Sequence, residues 1–194
     1  MSSRPYHLGR RAAAMDERRA RIIAAARKEL LTAPRFTLEA VAERSRVSRV
    51  TVYAQFGDRD TLLEAVYDDL AASGGLDRIP EVFVASDQAA ALDITVDVFC
   101  HFYTVHRGVI RRLQALRAVG RGEFSGQSDR NERRRQLLSA LLSRSGVDDA
   151  QLVNTLQALT SFAFVDELAG EERTPDDVAG AVKELVSSAV AARA

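Results

Sequence analysis

An all-α fold is predicted by three features of the sequence. Apolar residues recur at three- and four-residue spacing almost throughout, not at the alternating spacing of strands. Only four Pro interrupt 194 residues, and hydrophobic side chains make up 46% of them, ample for a core. Two short helical patterns also sit a few residues apart at 37–56, the spacing of a helix-turn-helix. At this length the chain holds one large domain or two small ones.

The N-terminal segment 1–14 is polar and basic, and is predicted to be a flexible arm. A first helix is expected from about Asp16 to Leu31, burying Ile22, Ile23, Ala26 and Leu30, with Pro34 ending it. The stretch TLEAVAERSRVSRVTVYAQF (37–56) supplies the next two helices. Thr37 and Ser48 each precede one of them, and their hydroxyls can accept from free backbone N–H groups of the first turn. Arg46 falls in the turn between them, where the backbone favours φ > 0 and Gly is usual. Asp58 is placed to cap a fourth helix with Leu62, Leu63, Val66, Tyr67 and Leu70 on its apolar stripe. Ser73-Gly74-Gly75 ends that helix and marks a hinge.

Behind it the spacing predicts helices at about 87–105, 107–120, 129–145, 148–169 and 175–192. The run from Gly120 to Ser128 reads as a loop. Thr174-Pro175-Asp176-Asp177 combines a cap, a Pro at the first helical position and acids in the first turn. The resulting domains are an arm at 1–14, a helix-turn-helix domain at 15–57, a connecting helix at 58–73 and a helical body at 74–194.

Charge separates these parts. The chain has 27 basic and 27 acidic residues. Residues 1–57 hold twelve basic against five acidic side chains, a local +7, and the remainder carries the compensating −7. That asymmetry points to a polyanion partner for the helix-turn-helix half, against the bland alternative of a solvated basic face. A helix pair this short buries little and serves chiefly to present one helix, and the DNA major groove is wide enough to admit it. Arg46 and Arg49 are long enough to reach guanine or phosphate, Thr51 a base edge or thymine methyl, and Thr37 and Ser48 a phosphate oxygen. Val41, Val47, Val52 and Phe56 are assigned to the small core beneath.

The chain resembles the TetR/AcrR family of transcriptional regulators. IIAAARKELL (22–31) is similar to the family's first helix. FTLEAVAERSRVSRVTVYAQFGDRDTLLEAV (36–66) follows its run through Thr37, Ser45-Arg46-Val47-Ser48, Thr51-Val52-Tyr53, Phe56, Arg59 and Leu62. The match spans about 50 residues, with three departures. Arg46 replaces the turn Gly, Val50 stands where a small residue is common, and Arg59 replaces Lys. The resemblance implies a DNA-binding regulator, usually a repressor, acting as a homodimer on a palindromic operator and released by a small-molecule effector. Taken with the reach of these side chains, the DNA contacts are expected from Thr37, Arg46, Ser48, Arg49, Val50, Thr51, Tyr53 and Arg59, and the resemblance implies that the Tyr53 ring packs in the domain with its OH aimed at phosphate. It puts the dimer interface on the last two long helices, 148–169 and 175–192. There Leu152, Leu156, Leu159 and Ala163 form one stripe, and Val178, Val182, Leu185, Val186 and Ala189 another. The alternative is a helical interaction module with weakened DNA binding.

In the body, VDVFCHFYTVH (96–106) concentrates aromatic and polar side chains that suit a ligand pocket. Phe99, His101, Tyr103 and Phe162 are the candidate effector-binding residues, each open to a plain core or surface reading. No catalytic arrangement stands out, and Asp97 and His101 read as an exposed pair. His101 and His106 are five apart and off one helical face, so no metal site or cofactor is expected. RNERRR (130–135) reads as a solvated helix start. Cys100 is the only cysteine, no apolar run reaches the ~18 residues of a membrane span, and the N-terminus lacks a signal-type apolar core. A cytoplasmic protein is expected, and 25 Arg against two Lys, with abundant Ala, fits a GC-rich bacterial genome.

Overall fold

A computed structural model of the chain describes residues 4–119 and 125–193. Among these residues the regular structure is helical: α1 (Arg4–Thr32), α2 (Leu38–Ser45), α3 (Arg49–Phe56), α4 (Arg59–Ser73), a 3-10 helix (Leu76–Val84), α5 (Gln88–Val105), α6 (Arg107–Val119), α7 (Ser125–Arg144), α8 (Ala150–Leu159), α9 (Phe162–Ala169) and α10 (Pro175–Ala191). The chain divides into two compact units. One contains described residues 4–69 and 111–119, the other 70–110 and 125–193, so the divisions fall within α4 and α6.

In the first unit, α2 packs on α1 and α3 on α2. Ile22, Ala26, Val41, Val52, Leu62, Leu63 and Val66 are fully buried, with Leu30 and Leu113 nearly so. Burying each large aliphatic side chain is worth roughly 1.5–3 kcal/mol, and this seam is what stabilises the short helices. Two polar ties fix its geometry. Buried Glu29 of α1 pairs with Arg44 of α2. Arg112 of α6 donates from Nε to the Leu30 carbonyl at 3.0 Å and from Nη2 to that of Ala33 at 2.7 Å. α1 has no basic residue in its own last turn, so Arg112 supplies the positive charge and the donors that its C-terminal carbonyls lack.

The second unit is centred on α5, which packs against α10, the 3-10 helix, α7 and α9. Val96, Val98, Cys100 and Phe102 of α5 are buried, and Val178, Val182 and Val186 of α10 are buried in the same unit. Asp97 pairs with Lys183 at 2.7 Å, joining α5 to α10 and giving Asp97 a partner other than His101. Local caps set the helix starts. The Asp58 and Asp87 carboxylates accept from Thr61 N and Ala90 N at 2.7 and 2.8 Å, and each has its pKa lowered chiefly by that backbone hydrogen bond. Thr174 and Asp177 form a reciprocal capping box at α10.

Several boundaries differ from expectation. α1 begins at Arg4, inside the segment expected as an arm, and no helix breaker interrupts its Ala- and Arg-rich run after Gly9. α7 begins at Ser125, within the expected loop. A single interior Gly costs a helix only about 1 kcal/mol, and α7 also buries Leu138, Leu141 and Leu142. Residues 120–124 of that loop lie outside the described residues. The helix expected at 148–169 is two helices. Ser161 adopts extended backbone and caps α9 at Phe164 N, while the buried Thr160 hydroxyl donates to the Leu156 carbonyl. Residues 111–119, expected in the body, belong to the first unit.

Gly74, the expected hinge, is buried where a side chain would collide. A Cβ there would lie 2.6 Å from His106 Nε2 and Phe102 Cδ2 and 2.7 Å from the Leu70 carbonyl oxygen. Gly74→Ala is expected to destabilise the chain by about 1–3 kcal/mol through overpacking, measured by urea unfolding. An unchanged midpoint would show that the α4–α5 junction yields freely.

Candidate nucleic-acid interface

The α3 sequence RVTVYAQF buries Val52 and Phe56, four residues apart, and leaves Arg49, Val50 and Tyr53 exposed. Val50 is 76% exposed, unusual for an apolar residue, and Thr51 is half-buried beside it. The outward face of α3 is thus a cation, an aliphatic side chain, a hydroxyl and an aromatic ring. Such a set can donate to a guanine edge, touch a thymine methyl and approach phosphate.

The caps sit as the sequence implies. Thr37 Oγ1 accepts from Ala40 N at 3.2 Å, and Ser48 Oγ from Thr51 N at 3.1 Å, with the Thr51 hydroxyl 2.8 Å away. Both cap residues are exposed. Between the helices Arg46 adopts φ 56°, ψ 42°, the only left-handed non-Gly residue among those described. Its N–H and that of Val47 return to the Glu43 and Ala42 carbonyls at 3.1 and 3.0 Å, closing α2. Arg21, Arg44 and Arg46 line an open groove of about 590 Å3 beside this turn, so the basic surface extends from α1 to the turn.

Arg49 is not idle in the free protein. Its Nη1 lies 2.6 Å from a Glu39 carboxylate oxygen, its Nη2 donates to Tyr53 Oη at 3.4 Å, and its guanidinium lies 5.4 Å from the Tyr53 ring centre. The Tyr53 hydrogen bond, then Glu39, raises the Arg49 pKa above its ordinary value. One expectation is corrected here. The Tyr53 ring lies exposed under Arg49, not packed in the domain, because Val52 and Phe56 already occupy the inward positions. Arg44, which also lines the groove, pairs with buried Glu29. Arg59, at the start of α4, is half-buried and 3.5 Å from the Asp60 carboxylate. Glu39 was not singled out from the sequence. Its place in the first turn of α2 explains its fit to the helix dipole but gives no sign of its partner on α3.

In the second unit, Phe99, Tyr103 and Phe162 come together. The Phe99 and Tyr103 rings stack at 5.9 Å and Phe162 meets Tyr103 edge-on at 5.5 Å. His101 does not join them; it is exposed, because two residues along a helix turn it away from Phe99 and Tyr103. Arg134, expected in a solvated run, is buried and donates from Nη1 to Tyr103 Oη at 2.7 Å. Its spacing to Leu138, Leu141 and Leu142 places it on their buried stripe, the one signal that could have found it. Burial raises the Tyr103 pKa, opposed by Arg134, and pushes the Cys100 thiol up to about 12. Among the described residues no three His, Cys, Asp or Glu side chains gather as a metal site would need, and no helix is long and apolar enough to cross a membrane.

Residues 22–66 match the family model described as bacterial regulatory proteins, tetR family. The fold is similar to two solved structures from Rhodococcus sp. RHA1. One, a transcriptional regulator, has 18% identity and a TM-score of 0.70; the other, a TetR-like transcriptional regulator, has 19% and 0.64. Each match covers 90% of this chain and 96% of the other. A third, RolR in complex with resorcinol, is 19% identical with a TM-score of 0.52, covering 92% of this chain and 93% of that one. No curated protein matches the sequence significantly.

Left-handed backbone at a residue bearing Cβ costs roughly 1–2 kcal/mol, part of which Gly would lose to its greater unfolded-state freedom. Arg46→Gly is therefore expected to raise the unfolding free energy by up to about 1 kcal/mol, read as a higher urea midpoint. If Arg46 meets a phosphate, the same variant lowers the slope of log affinity for DNA against log salt by about 0.9. A stabilised variant with an unchanged slope would remove Arg46 from the interface.

Proposed function

We propose that this chain, whose residues 22–66 belong to the tetR family of bacterial regulatory proteins, is a cytoplasmic transcriptional repressor that binds a palindromic operator as a homodimer and is released by a small-molecule effector. The observation that carries the DNA-binding part is the outward face of α3. Arg49, Val50 and Tyr53 stand in solvent on a helix whose other face is buried, in the half of the chain that holds the +7 charge. Thr37, Ser48 and Arg46 contact phosphate beside it, Arg59 adds a further phosphate contact, and Arg49, Val50 and Thr51 meet base edges. Tyr53 holds Arg49 and turns its OH to phosphate when the helix docks.

Dimerisation through α8, α9 and α10 is supported by what those helices leave exposed. Val178, Val182 and Val186 are committed to the core of their own unit, but Leu185 is 43% exposed and Ala163 is exposed. A two-fold pair then sets two recognition helices about 34 Å or a multiple apart along DNA. Effector release requires a ligand that prefers the conformation in which that spacing is wrong. The resorcinol complex of RolR, a protein of similar fold, is consistent with a ligand-holding body, and the Phe99, Tyr103 and Phe162 cluster is the place for it here.

The test is fluorescence anisotropy with DNA from upstream of the chain's own gene and with a scrambled duplex. The intact chain is expected to prefer the former. Arg49→Ala should lower affinity for it by about 1–3 kcal/mol while changing scrambled-duplex binding less. Equal losses on both would reduce Arg49 to a phosphate contact, and no preference in the intact chain would overturn the reading.

A further inference from the structure

Arg134 is 7% exposed, and no carboxylate among the described residues pairs with it. Its partners are neutral: Tyr103 Oη at 2.7 Å from Nη1, the Asn131 side-chain oxygen at 3.4 Å from Nη2, and the Phe99 ring, whose centre lies 5.7 Å away. Its Nε–H is buried and meets no acceptor. A guanidinium in apolar surroundings without an anion is costly, and neither hydroxyl, amide nor ring face neutralises it. The distribution of its bonds is also uneven. Nη1 holds one short bond to Tyr103, but the Nε–Nη2 edge, the one that matches a carboxylate with two parallel hydrogen bonds, holds a single long contact.

Flat apolar surfaces cluster next to the guanidinium. Phe99 lies against the guanidinium, Tyr103 stacks on Phe99, and Phe162 closes on Tyr103 edge-on. Asn131, one turn before Arg134 on α7, is half-buried and marks the side nearer solvent. We infer that this cluster is a binding site for an aromatic monocarboxylate, its carboxylate held by the Nε–Nη2 edge of Arg134 and its ring by Phe99, Tyr103 and Phe162. The inference rests on the effector reading above and supplies the ligand's charge and shape. Asn131 gives up its long contact to the ligand, and Tyr103 Oη keeps Nη1 fixed so that the fork faces the acid. An arginine present only to anchor α7 would show no preference between an acid and its amide.

The experiment is isothermal titration of the full chain with benzoate, phenylacetate and cinnamate, each paired with its neutral amide, at matched ionic strength. At least one acid is expected to bind roughly tenfold or more tighter than its amide, the yield of charge-assisted bonds over neutral ones. Arg134→Gln should erase that preference, and Arg134→Lys should keep it at reduced affinity, since the charge remains without the planar fork. The acid–amide comparison on the unaltered chain stands whether or not either variant folds. Equal binding of acids and amides would overturn the anion site while leaving a neutral effector in place, and such ligands would still release DNA. Binding by no member of the panel, or an acid preference that survives Arg134→Gln in a folded variant, overturns the proposal.

Discussion

Helices of eight residues do not hold themselves in water, since the cost of nucleation leaves anything below about 12–15 residues marginal. α2 and α3 are that short, so everything the N-terminal unit presents depends on the surface that α1 offers α2 and that α2 offers α3. Ile22 and Ala26 contribute its buried apolar side chains, Glu29 pins α2 through Arg44, and Arg112 closes the C-terminal end of α1. The buried Glu29 is acceptable only because it is paired, and removing either partner would leave a charge without compensation. The first unit therefore uses these polar contacts to fix the angle between helices, and leaves the outward side of α3 exposed.

That outward side carries its own restraint. Arg49 sits between Glu39 and Tyr53, so in the free protein its charge is partly answered and its side chain held along the helix. Approaching phosphates would compete with Glu39, and a base edge would compete with Tyr53. An exposed pair of this kind is weak, so it is readily exchanged on docking. Val50, exposed beside it, offers a methyl surface where hydrogen-bond readout is impossible.

What could be read from the sequence was what is decided within a few residues. The caps at Thr37, Ser48, Asp58 and Thr174 need only a hydroxyl or carboxylate and the N–H groups two or three residues on, and the left-handed turn at Arg46 follows from two helices meeting at that spacing. Ser161 gives the same kind of signal, but apolar periodicity runs on through it and hides the break between α8 and α9. Contacts across long sequence distance were not legible. Arg112 reaches carbonyls some eighty residues earlier, which no local pattern records. Arg134 was hidden for another reason: five neighbours in RNERRR are polar, so composition pointed to solvent while helical register pointed inward. His101 failed in the opposite sense, since an aromatic-rich run drew it into a wall that the helix turns away from.

The account stands or falls on α3 as one of a symmetric pair of reading heads. Repeated selection of bound duplexes from a random-sequence pool by the full chain tests this most directly. The expected product is an inverted repeat whose half-sites are centred about one DNA turn, or a multiple of it, apart, with guanine enriched at a symmetric position in each half that Arg49→Ala relaxes. Enrichment of a single asymmetric half, or of no sequence at all, would contradict it.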